Sequence, residues 1–69
     1  MVTYKYLKKL IGNKTCPISG KNENGEMVIA ERGRDEEGEF FVLTTVQNNN
    51  WLRITTYYES GTVTETFDK

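Results

Sequence analysis

The chain has 69 residues, with nine Lys and Arg against ten Asp and Glu, no His, one Cys and a formal net charge of −1. That length allows one small domain, residues 1–69, and a single cysteine excludes a disulfide framework. No run approaches the roughly 18–20 apolar residues of a membrane span, and Lys5, Lys8 and Lys9 interrupt what would be the apolar stretch of a secretory signal, so a cytoplasmic protein with no membrane contact is expected.

Thr3 to Ile11 is predicted to be a short amphipathic helix. At about 100° per residue, Tyr4, Tyr6, Leu7, Leu10 and Ile11 fall on one side and Lys5, Lys8 and Lys9 on the other. Thr3 is placed to cap its start, and Gly12–Asn13 to stop it. The competing signal is a strand, because Val2, Tyr4 and Tyr6 alternate with Thr3 and Lys5. That alternation breaks at Leu7–Lys8–Lys9–Leu10, where helical spacing continues. Gly12 to Gly25 is irregular in composition. Within it, Thr15–Cys16–Pro17–Ile18 is a candidate short edge strand, since Pro17 has no N–H to give an interior ladder. Asn24–Gly25 is a strong turn dipeptide.

Four runs rich in β-branched and aromatic residues follow: Met27–Arg32, Glu39–Gln47, Trp51–Glu59 and Thr62–Phe67. The segments between them, Gly33–Gly38, Asn48–Asn50 and Ser60–Gly61, are too short for the crossover that parallel strands require. The expected fold is therefore α+β: a short N-terminal helix packed on a four-stranded antiparallel meander. The alternative is a small SH3-like or OB-like β-barrel.

Alternation assigns Met27, Ile29, Phe41, Leu43, Leu52, Ile54, Val63 and Phe67 to an expected core face under the helix. The other face would then carry Val28, Ala30, Phe40, Val42, Val46, Trp51, Arg53 and Tyr57 among threonines. An outer face this apolar departs from the polar pattern of a sheet wetted on one side. Either the sheet closes on itself or an aromatic patch is left for a partner.

The chemistry-bearing residues are few. Cys16 has no second Cys and no His with which to hold zinc, and no imidazole base to activate it, so it reads as a packing residue. Asp35, Glu36, Glu37 and Glu39 cluster at a hairpin tip but lack the twelve-residue ligand pattern of a calcium loop. They read as a solvated turn that keeps strands from pairing edge to edge. Gly25, Gly33, Gly38 and Gly61 are spaced as hairpin punctuation rather than as a phosphate cradle. No catalytic residue, metal or cofactor is expected, and the chain is not read as an enzyme.

Charge is distributed unevenly. Residues 1–21 hold five lysines and no acid, giving +5, while residues 22–69 hold ten acids against four cations, giving −6. The plain reading is that the basic segment docks on the acidic remainder; the sharper one is a basic patch of Lys5, Lys8 and Lys9 for an acidic partner. Phe40, Val42, Trp51, Arg53 and Tyr57 form the expected partner-binding surface, since Trp, Tyr and Arg are enriched at interface hot spots. The expected function is a non-catalytic protein-interaction module of adaptor or inhibitor type, with a homodimer through the same face as a further way to bury its aromatics. The alternative is single-stranded nucleic-acid binding through the N-terminal lysines and stacked sheet aromatics, against which the acidic strand region argues.

Overall fold

A computed structural model describes residues 2–47 and 49–68. It consists of one helix, α1 (Tyr4–Ile11), and five strands: β1 (Ile18–Lys21), β2 (Met27–Asp35), β3 (Gly38–Val46), β4 (Leu52–Tyr58) and β5 (Val63–Asp68). The strands form a single antiparallel sheet in the order β1-β2-β3-β4-β5. The domain is thus α+β, with five strands where the sequence pattern suggested four. The added strand begins at Ile18, after Pro17, rather than at Thr15. Because β1 and β5 lie at opposite edges, the sheet is an open meander and not the alternative barrel. Among the described residues, no helix is long and apolar enough to cross a membrane.

Local chemistry sets the element ends. The Thr3 hydroxyl accepts from the Tyr6 N–H at 3.1 Å, capping α1, and the Gly12 N–H closes it on the Lys8 carbonyl at 2.9 Å. Gly12 has φ of 55°, a left-handed conformation that a side chain would oppose. At the first hairpin the Asn22 side chain accepts from the N–H groups of both Asn24 and Glu26. In the second, β2 and β3 pair all the way to Asp35 and Gly38, so the tip shrinks to Glu36–Glu37, with Asp35 accepting from the Glu37 N–H at 2.8 Å. The third loop turns at Asn50, φ 66°, and leaves Trp51 outside β4.

Register decides which side chains share a face, because residues directly opposite in an antiparallel pair point the same way. Phe41 stands beside Tyr57 on one flank and Arg32 on the other; Leu43 stands beside Thr55 and Ala30. These residues face α1. Leu7 and Ile11 from the helix and Phe41 from β3 are the buried apolar core, with Tyr4, Cys16, Ile18, Ala30, Leu43 and Tyr57 packed around it. The expected eight-residue core is therefore divided. Met27, Ile29, Leu52 and Ile54 lie on the opposite face, and Val63 and Phe67, though on the helix side, are more than half exposed. The causes are the two-residue loop at Glu36–Glu37, which sets odd positions of β2 against even positions of β3, and the five residues between Val46 and Leu52, which set even positions of β3 against even positions of β4. A one-residue change of register moves every side chain of a strand to the other side.

Candidate functional site

The face turned away from α1 carries Met27, Ile29 and Glu31 from β2, Phe40, Val42, Thr44 and Val46 from β3, and Leu52, Ile54, Thr56 and Tyr58 from β4. No helix or second sheet covers it among the described residues, and none of these side chains is fully buried. The Phe40 and Tyr58 rings sit 5.6 Å apart, tilted at 53°. Polar side chains frame the face: Ser19 and Lys21 along β1, Thr64, Thr66 and Asp68 along β5. Within the face, Thr44 stands between Ile29 and Ile54, and Val42 between Glu31 and Thr56, a mixture of apolar and polar side chains of the kind found at protein interfaces.

The expected partner-binding residues are divided by the same register. Phe40 and Val42 are together on the open face, whereas Arg53 and Tyr57 lie on the helix side, beside Thr45 and Phe41 respectively. Trp51 is half-buried in the loop before β4. Sequence reasoning missed Met27, Ile29, Leu52, Ile54 and Tyr58 as members of the open face. The signals that identify them are two loop lengths: Glu36–Glu37 fixes the β2–β3 parity, and the five residues between Val46 and Leu52 fix that of β3–β4.

On the helix side, charge rather than apolar contact fixes the orientation of α1. The Glu39 side chain is only 11% exposed. One of its oxygens accepts from the Tyr4 hydroxyl at 2.8 Å and from Lys8 Nζ at 2.7 Å, and the other lies 3.7 Å from Arg32 Nε. Hydrogen bonds from Lys8 and then Tyr4 hold the Glu39 carboxyl below its usual range, against the opposing effect of burial. Burial first, and next the hydrogen bond to Glu39, push the Tyr4 hydroxyl up to about 12. Arg32 also donates to the Gly12 carbonyl, and its guanidinium lies 5.6 Å from the centre of the Phe41 ring. Lys8 is thus engaged in docking the basic segment onto the acidic remainder, while Lys5 and Lys9 are exposed on the helix.

Beyond the part of the sheet that α1 covers, a groove of about 410 Å³ opens along the helix flank. Val2, Tyr6 and Leu10 form its helical wall, and Val28, Ala30, Leu43, Thr45 and Thr55 lie along its floor. Lys14, Lys21, Arg53 and Glu65 are its charged residues. Tyr57 also borders it; burial raises the Tyr57 hydroxyl, with the nearby Arg53 charge acting in the opposite direction.

These features define a two-layer α+β domain, helix on sheet, with one sheet face bare. No family model matches the sequence, and neither the curated proteins nor the solved structures give a significant match.

Proposed function

We propose that this chain is a non-catalytic protein-interaction module, of adaptor or inhibitor type, whose contact surface is the open face of the sheet. The observation that carries this reading is the uncovered face on which Met27, Val46 and Leu52 form one apolar row and Ile29, Ile54, Val42, Phe40 and Tyr58 stand among Thr44, Thr56 and Glu31. Uncovered apolar side chains gathered on one face mark interaction sites on soluble domains. At about 3.3 Å per residue and about 4.8 Å between strands, β2–β4 present a face of roughly 30 by 15 Å. Counted on both partners, this approaches the total of about 1,000 Å² that a specific interface needs.

A second copy of the chain is one partner that fits. Three fully buried apolar side chains among the described residues are few for a domain of this size, and small domains often complete their cores by association. Two open faces stacked about 10 Å apart would hide both.

Nucleic-acid binding has less support. Lys5, Lys8 and Lys9 lie on α1, across the sheet from Phe40 and Tyr58, and Lys8 is paired with Glu39. Bases stacked on those rings would have their phosphates far from the lysines. Catalysis also has less support, since the most perturbed groups, Tyr4 and Glu39, are bonded to each other in holding the helix.

The experiment is Val42→Lys, which places a charge in the middle of the face. The wild type is expected to retain a partner protein, or to sediment as a dimer, and the variant to lose that association while still unfolding cooperatively. Association unchanged in the variant would overturn the reading.

A further inference from the structure

We propose that the groove between α1 and the sheet is a binding site for a free single-chain amphiphile with a carboxylate head. Its alkyl chain lies between Leu10 and the floor formed by Ala30 and Leu43, and its head group rests on Arg53.

The groove lies on the face opposite the proposed protein contact, so this site is independent of that reading. Its volume of about 410 Å³ falls at the lower end of the range for small-molecule pockets, which suits one chain better than a two-chain lipid. Its walls are mostly apolar, and the helix contributes Tyr6 and Leu10 at 50% and 55% exposure. Those side chains gain burial only from something seated beside them. The charges along the lining favour an anion: Lys14 and Arg53 against Glu65, since the Lys21 side chain shares the other face with Met27.

Arg53 selects the head group. Its register position, between Thr45 and Phe67, places it at the end of the sheet next to the β3–β4 loop, on the groove side. It is half-buried, and it takes no part in the ion pairs that Glu39 makes with Lys8 and Arg32. A guanidinium presents a planar fork of donors that matches a carboxylate in two parallel bonds. Removed in part from water, with Glu65 at a diagonal position on β5 rather than in an ion pair with it, the guanidinium is placed to seat a carboxylate supplied by a ligand.

The test is titration of the full chain with dodecanoate below its micelle concentration, alongside dodecyltrimethylammonium, which has the same tail and the opposite charge. Dodecanoate is expected to bind saturably, one per chain, at least tenfold more tightly than the cation. Arg53→Gln should weaken dodecanoate at least tenfold and leave the melting temperature within a few degrees. NMR shifts in the wild type should centre on Leu10, Ala30 and Leu43. Equal binding of the two amphiphiles, or shifts centred on Val42 and Ile54, would mean adsorption to bare apolar surface and would overturn the proposal. So would binding to anionic phospholipid vesicles without binding of free dodecanoate. The wild-type comparison and the shift map decide the matter even if Arg53→Gln fails to fold.

Discussion

The Phe40 ring lies across Gly33, its direct partner on the neighbouring strand, so closely that a methyl group at residue 33 would stand 2.4 Å from two ring carbons. Glycine weakens a strand unless something covers it, and here an aromatic ring does. The contact also keeps the ring flat on the sheet, at the corner of the open face where it meets Tyr58.

Gly33→Ala is therefore expected to displace the ring and cost about 1–3 kcal/mol, as overpacking does. Phe40→Leu in the same chain should recover part of the loss. The measurement is denaturant unfolding of the four members of the cycle, and a Gly33→Ala protein as stable as the wild type would refute the close packing.

Glu39 should govern the acid limb of stability. Its carboxyl is held below the usual range in the folded chain by its bonds from Lys8 and Tyr4, so its stabilisation is present above the unfolded value of about 4.3 and lost as pH falls through the folded value. Glu39→Gln is expected to flatten the decline below about pH 4 and to cost about 1–2 kcal/mol near neutrality. Melting curves from pH 2 to 7 for both proteins test this.

Tyr4 acts at the other end. Its hydroxyl, pushed up to about 12, stays protonated in the folded chain where the unfolded chain has begun to ionise. The folded state then binds more protons, and stability falls as pH rises above about 10. Tyr57, raised mainly by burial, contributes in the same direction. Tyr4→Phe should remove part of that alkaline loss while lowering stability by about 1 kcal/mol near neutrality. An unchanged alkaline slope in Tyr4→Phe would count against the assignment.

Phe41 is fully buried between α1 and the sheet. Phe41→Ala should cost about 3–5 kcal/mol, comparable with the whole stability of a domain this small. Loss of the cooperative thermal transition is the expected result. The isolated open-face change Ile54→Lys should keep that transition, and dilution of the wild type should shift its sedimentation if a second copy covers the face.

The alternation within each strand was legible from the residues because it follows from local periodicity, and so was part of the α1 stripe: Tyr4, Leu7 and Ile11 pack on the sheet, while Tyr6 and Leu10, expected beside them, are exposed. The cap at Thr3, the stop at Gly12 and the turn at Asn24–Gly25 were equally local. What could not be read was how one strand's alternation aligns with the next. Met27 and Phe41 both look like core positions in their own strands, but the loop at Glu36–Glu37 puts them on opposite faces. The loop between Val46 and Leu52, which pairs even positions of β3 with even positions of β4, likewise split Phe40 and Val42 from Arg53 and Tyr57. The contacts of Glu39 were hidden for a different reason. They join residues 31 and 35 positions apart and leave no periodic trace in the chain.

Strand order follows chain order throughout the sheet, but the helix that begins the chain is tied to the middle strand through Tyr4 and Glu39. Each hairpin closes over a few residues, whereas the helix has to wait for β3, and an eight-residue helix has little persistence alone. Its assembly therefore runs out of step with chain order: the segment that precedes the sheet is the last to lock. Pulsed hydrogen exchange during refolding should find the β2–β3 amides protected before those of α1, and simultaneous protection would show that the two form together.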